Sequence, residues 1–109
     1  MFQALPDRRA ARRLLLPTQP PCLLQAPDAD APVSARVHNL SVRGIGVLSR
    51  HSYPPGSELV VILINNAHTS SLRVRSQVVR TFRLHDGEHY LGCQFADDVK
   101  FEQLIPYLL

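Results

Sequence analysis

Six stretches of this chain carry the apolar spacing of β-strands, and only its last few residues carry the spacing of a helix. Val33, Ala35 and Val37 alternate with Ser34, Arg36 and His38, the period of a half-buried strand. Leu72, Val74, Ser76, Val78, Arg80 and Phe82 alternate with Arg73, Arg75, Gln77, Val79 and Thr81, which predicts one long strand with a single wet face. Leu59-Val60-Val61-Ile62-Leu63-Ile64 has no polar interruption and suits a strand buried on both faces. Gly44-Ile45-Gly46-Val47-Leu48 reads as a strand that begins at a tight turn. Pro21-Cys22-Leu23-Leu24-Gln25 is a short strand inside a region, Pro17 to Pro32, that holds five of the nine prolines. Asp28-Ala29-Asp30 is a turn. Asp86-Gly87 signals a hairpin that joins the long strand to a partner, His89-Tyr90-Leu91-Gly92-Cys93-Gln94-Phe95.

After the last strand, Phe101, Leu104, Ile105 and Leu108 fall at i, i+3, i+4 and i+7, so a helix capped by Asp97 or Asp98 is expected, limited by Pro106. Six strands followed by one helix, without βα alternation, predict an all-β fold: a small six-stranded antiparallel barrel flanked by a short C-terminal helix. The 109 residues suffice for one domain. With 45% hydrophobic and 19% charged residues, the chain is globular rather than disordered. Cys22 and Cys93 form no CxxC motif, so a reduced, cytoplasmic protein is expected. Leu14-Leu15-Leu16 behind paired arginines imitates an export signal, but Pro17 ends the apolar run after three residues. No segment is long and apolar enough to suggest membrane insertion.

Charge sharpens the picture through its kind more than its amount. The net charge is +3, but eleven of the twelve basic residues are arginine. Four of them crowd into Arg8-Arg9-Ala10-Ala11-Arg12-Arg13, which lies before any strand pattern and reads as a flexible basic arm over residues 1–13, with the barrel and helix over 14–109. Planar guanidiniums pair bidentately with phosphate or with the O6/N7 edge of guanine. A second cluster, Asn39-Leu40-Ser41-Val42-Arg43-Gly44, offers an amide and a hydroxyl two positions apart, expected on one face of a strand and suited to base edges. Gly44 is expected to permit a positive-φ turn or to leave room for the base. Each feature also has a plainer reading: the arm as a solvated tail, Gly44 as a hairpin glycine, and Arg73, Arg75, Arg80 and Arg83 as a solubilising edge. His85 and His89 are split by Asp86-Gly87 and give no zinc-type spacing, and His38, His51 and His68 read as solvated. No GxSxG, Walker lysine loop or HExxH occurs, so neither catalysis nor a metal or other cofactor is expected.

These residues resemble the signature of the PilZ domain, the bacterial receptor module for cyclic di-GMP. The RxxxR element is present twice, as Arg8 with Arg12 and as Arg9 with Arg13, and the [D/N]xSxxG element reads Asn39-Leu40-Ser41-Val42-Arg43-Gly44. Gly56 before an apolar strand and Leu91-Gly92-Cys93-Gln94-Phe95, similar to the family's LGxxF, extend the resemblance over almost the whole chain. It implies a PilZ-type β-barrel that binds cyclic di-GMP on its outer surface through Arg8, Arg9, Arg12, Arg13, Asn39, Ser41 and Gly44, and signals to a protein partner not named by the sequence. Arg9 and Arg13 are the favoured register because Leu14 follows directly. Asn39, where other family members carry a carboxylate, is the milder variant. Family members often place a bulky aromatic on the penultimate strand against the ligand, and Val79 or a neighbour stands there in this sequence. Two alternatives remain open: a PilZ-like adaptor that binds only protein, and a small nucleic-acid barrel. The latter is disfavoured by the absence of tryptophan and of a recognisable aromatic stacking face.

Overall fold

The computed structural model describes residues 13–108. Seven strands form one sheet: β1 (Leu14–Leu15), β2 (Pro21–Gln25), β3 (Val33–Leu40), β4 (Gly44–Ser49), β5 (Glu58–Ile64), β6 (Ser71–Arg83) and β7 (His89–Phe95). All pairings are antiparallel. The sheet runs β3-β2-β5-β6-β7-β4, and β4 pairs again with β3, closing a six-stranded barrel that leaves few free backbone groups along its wall. The two-residue β1 is an addition that the periodicity could not reveal. It pairs Leu14 with Leu40 and Leu15 with Asn39, along the edge of β3 that β2 leaves open.

The alternation read from the sequence fills the interior. Leu24, Val37, Ile45, Val61, Val74 and Leu91 are all 2% exposed or less and belong to one core. In β5 the inward set is Leu59, Val61 and Leu63, while Ile62, on the outer side by register, is also buried. Val60 and Ile64 are half-buried, so the expectation of burial on both faces holds for part of that strand. Cys22 and Cys93 are free and fully inside, and burial pushes both thiols up to about 12, with the charge of Arg13 pulling Cys93 partly back.

Two departures from strict periodicity matter for the site. The register of β6 shifts between Val78 and Arg80, so Val79 is an extra residue and Arg80 and Phe82, in phase with the core residues by sequence, turn to the outside. The register of β3 shifts between Val37 and Asn39 at His38, which puts Asn39 opposite Gly46.

The C-terminal segment differs from expectation. Lys100, not Asp97 or Asp98, precedes the helix: its backbone N–H donates to the Gln103 side-chain oxygen (2.8 Å). The helix α1 spans only Phe101–Leu104, followed by a 3-10 turn at Ile105–Tyr107 that contains Pro106. Leu104 and Tyr107 are the buried residues, while Phe101 and Ile105 are exposed. Asp97 instead accepts from Arg75, through both backbone and guanidinium, and ties β6 to the end of β7. That contact draws its carboxyl below the ordinary aspartate value. Among the described residues no helix is long and apolar enough to cross a membrane.

Candidate functional site

On the outside of the wall formed by β3, β4, β7 and β6, cross-strand register lines up two rows of residues. The first runs Asn39, Gly46, Gly92, Arg80; the second runs Arg36, Leu48, Tyr90, Phe82. Two adjacent glycines sit in the middle of the first row, and neighbouring side chains cover them: the Tyr90 hydroxyl and the Asn39 amide lie over Gly46, and Arg80 and the Tyr90 ring over Gly92. The result is a shallow trough on the outer wall in which these polar and aromatic side chains settle against the sheet.

The β3 end of the trough joins the two sequence motifs. Leu16 is buried, and its backbone N–H donates to the His38 carbonyl (3.0 Å), which together with β1 pairing fixes the direction of the chain just after Arg13. The exposed Arg13 then donates from Nη1 to Asn39 Oδ1 at 2.6 Å. Asn39 is itself buried, at 7% exposure, and its Nδ2 donates to the Tyr90 hydroxyl at 3.1 Å. Both ends of the amide are therefore in use. Gly46 makes this possible: a Cβ there would run into the Tyr90 hydroxyl and Asn39 Nδ2. Tyr90 is held in turn by Phe82, stacked at 5.9 Å between ring centroids, and by His38, edge-on at 5.8 Å. Arg36, next along the second row, is paired with Glu88 at the hairpin and also donates to Gln19.

Ser41 does not share Asn39's outward face as expected. β3 ends at Leu40, and the buried Ser41 hydroxyl accepts from the backbone N–H groups of Arg43 (3.1 Å) and Gly44 (3.2 Å). Ser41 N–H also donates to the Gly44 carbonyl (2.9 Å), so the serine organises a tight turn. Gly44 does not have a positive φ, in contrast to Gly56 and Gly87. Its requirement is proximity, because a Cβ would collide with the backbone carbonyl of Cys93 on β7. Beside the turn a cleft of about 310 Å3 is lined by Leu14, Leu40, Ser41, Val42 and the C-terminal Phe101, Leu104 and Leu108.

Of the arginine arm, Arg13 is brought to Asn39, and Arg8, Arg9 and Arg12 lie outside the described residues. The sequence patterns assign none of Tyr90, Phe82, Arg80, Gly46, Gly92 and His38 to the ligand site, although Arg80 falls in the basic edge and Gly92 in the LGxxF-like stretch. Phe82 is the aromatic on the penultimate strand, three residues beyond Val79, and 53% of it is exposed. With Tyr90 it forms the aromatic face that the composition did not reveal, and His38 is half-buried against it rather than solvated. The hairpin signal at Asp86-Gly87 does not expose this pair, since a two-residue turn brings Phe82 opposite Leu91; the actual turn takes three residues, His85–Gly87, closed by the Leu84 N–H to Glu88 carbonyl bond, and that extra residue brings Phe82 opposite Tyr90.

No curated protein sequence matches the chain. Among solved structures, the inhibitor of motility MotI/DgrA of Bacillus subtilis superposes with a TM-score of 0.66 at 19% identity, over 93% of this chain and 48% of that one. This chain thus spans about half the length of MotI. The PilZ domain of YcgR from Escherichia coli, solved with c-di-GMP, superposes with a TM-score of 0.63 at 21% identity, over 94% of this chain and 89% of that one. Both likenesses concern the fold. The family model for the PilZ domain matches residues 7–109, and the chain belongs to that family.

Proposed function

We propose that this chain is a receptor for cyclic di-GMP and that the trough between Asn39 and Arg80 is where the nucleotide lies. The observation that carries this reading is the Arg13–Asn39 contact, which joins the arginine motif to the NxSxxG turn at one end of an outer-wall surface lined by Tyr90, Phe82 and Arg80. The PilZ domain of YcgR, structurally similar throughout, was solved with this ligand. The chemistry fits. Arg13 and Arg9 present forks to guanine O6/N7 or to phosphate, and Arg8 and Arg12 add positive charge for the phosphates or for a second stacked nucleotide. Asn39 Oδ1, once released by Arg13, is an acceptor for guanine N1–H or N2–H. Arg80 and the exposed Phe82 offer a cation and an aromatic face at the far end. Ser41 and Gly44 contribute by holding the turn that sets the end of β3.

Binding exchanges the Arg13–Asn39 bond for bonds to the ligand and draws residues 1–13 over the trough, which changes the surface presented to a protein partner. The protein acts as a receptor and not as an enzyme. The Phe82–Tyr90 face also makes a single-stranded nucleic acid a real competitor.

Calorimetric titration decides between them. Cyclic di-GMP is expected to bind at micromolar levels or tighter, with GTP, cyclic GMP and oligonucleotides much weaker. Arg13→Ala should weaken cyclic di-GMP roughly 10- to 100-fold, as loss of a charge-assisted bond requires, while the thermal midpoint falls by no more than a few degrees from the loss of the Asn39 Oδ1 partner. Tight oligonucleotide binding with no cyclic di-GMP heat would sink the proposal in favour of a nucleic-acid barrel. Absence of both would leave a protein-binding adaptor.

A further inference from the structure

We infer that Tyr90 is a positioning residue for recognition: its hydroxyl holds the Asn39 carboxamide with the carbonyl oxygen turned toward the arginine arm and the ligand. The inference rests on the proposed binding site and assigns a role to a residue outside both sequence motifs. An asparagine amide has a donor end and an acceptor end, and only one orientation offers an acceptor to a guanidinium or to the N–H edge of guanine. In this structure Oδ1 faces Arg13 and Nδ2 donates to Tyr90. At 7% exposure Asn39 has little access to water, so Nδ2 depends on the tyrosine for its acceptor. When Arg13 turns to the ligand, Tyr90 is the remaining protein partner of the amide among the bonds described.

The tyrosine is built as a fixed post. Its ring stacks on Phe82 and meets the edge of His38, so it is clamped from two directions. Gly46 supplies the gap through which hydroxyl and amide meet, because a Cβ at that position would occupy it. Gly46 sits opposite both Asn39 on β3 and Gly92 on β7, so the bulge at His38, the glycine and the tyrosine form one device that aims one amide. A carboxylate would not need aiming, since either oxygen accepts. The device is required because this chain carries Asn39.

Tyr90→Phe keeps the ring and removes the hydroxyl. Binding of cyclic di-GMP should weaken roughly three- to tenfold, the worth of one neutral hydrogen bond. Asn39→Asp should restore most of that loss in the Tyr90→Phe protein, because a carboxylate has no wrong orientation. A structural role for the hydroxyl predicts no such rescue. In the free protein, the Asn39 side-chain amide protons should exchange slowly by NMR, and faster with a shifted resonance in Tyr90→Phe. An equal loss on removing the hydroxyl with and without the Asn39→Asp substitution, no loss in either case, or unchanged Asn39 amide signals would each overturn the inference. A parent protein that fails to bind cyclic di-GMP counts against the proposed function, and the ligand-free NMR result still decides the role of Tyr90.

Discussion

Gly44 and Gly46 stand two residues apart on the same strand and face the same way, yet they are glycines for different reasons. The space a Cβ would need at Gly44 is filled by the backbone carbonyl of Cys93 on β7, and at Gly46 by the tips of two side chains, Tyr90 and Asn39. A backbone cannot retreat without moving its strand, and β4 is paired on both sides in a closed barrel, with β3 and with β7. A side chain can retreat by rotating, but what it abandons here is a hydrogen-bonded arrangement at the trough. One glycine therefore serves the wall, and its neighbour serves the site. Ser41 falls with Gly44 on the side of the wall, and Asn39 falls with Gly46 on the side of the site, so the six-residue motif divides into halves that should fail in different assays.

The strongest test of that division is Gly44→Ala. The new Cβ forces β4 and β7 apart at the end of their pairing, and steric insertion into a packed region costs about 1 to 3 kcal/mol or more. At ~4–8 °C per kcal/mol for a domain of this size, the thermal midpoint should fall by on the order of 10 °C. Differential scanning calorimetry reads this directly. A midpoint within a degree of the parent's would mean that the strands separate freely and that the distinction between the two glycines is unfounded.

Gly46→Ala should give the converse pattern. The methyl group meets the Tyr90 hydroxyl and the Asn39 amide, which yield only by giving up their mutual hydrogen bond and the Phe82 and His38 contacts, so the midpoint should fall as well, but by less than for Gly44→Ala, where the obstacle is backbone. Cyclic di-GMP affinity should fall roughly 10- to 100-fold, because the recognition amide and its support are lost together. Calorimetric titration beside a melting curve checks both halves. A large loss of stability with affinity intact in the folded fraction would reverse the assignment.

How much of this was readable from the chain follows from the same physics. Apolar patterning is a local property, and β2 to β7 follow from it, by alternation in β2, β3 and most of β6 and by apolar runs in β4 and β5, where β4 is buried at all six positions. The arginine and NxSxxG clusters are local too, and they lead to Arg13 and Asn39, which the structure brings within hydrogen-bond reach. Non-local properties were hidden. The bulge at Val79 adds one residue to β6 and reverses the facing of Arg80 and Phe82, so a strict period of two assigns them to the wrong side. Tyr90 becomes part of the site only through its register with Leu48 and Phe82 and through the gap at Gly46. The positions of Ser41 and Gly44 are legible and their mechanics are not: the sequence suggests a base contact for Ser41 and either a positive-φ turn or room for a base for Gly44, and the structure engages both with backbone. The helix was overextended because Pro106 permits only a single α-turn followed by a 3-10 turn.

Ser41→Ala gives the smallest and most discriminating effect. The hydroxyl accepts from two backbone N–H groups, of Arg43 and Gly44, and alanine leaves both without that partner. Full burial of an unsatisfied donor costs up to about 3 kcal/mol, but Arg43 is exposed beside this turn and water can reach part of it, which brings the expected loss to about 1 kcal/mol. The Ser41 N–H to Gly44 carbonyl bond is main-chain and survives, so the turn should keep its path. Asn39, one residue beyond Leu40 on the other side, keeps its contacts to Arg13 and Tyr90, and cyclic di-GMP affinity should change less than about threefold, with the preference for guanine over adenine retained. Urea denaturation of the variant, set beside titrations with cyclic di-GMP and cyclic di-AMP, separates the outcomes. Unchanged stability with a collapse of guanine selectivity would show that the hydroxyl leaves the turn to read the base, and the motif would then act as one unit and not as two.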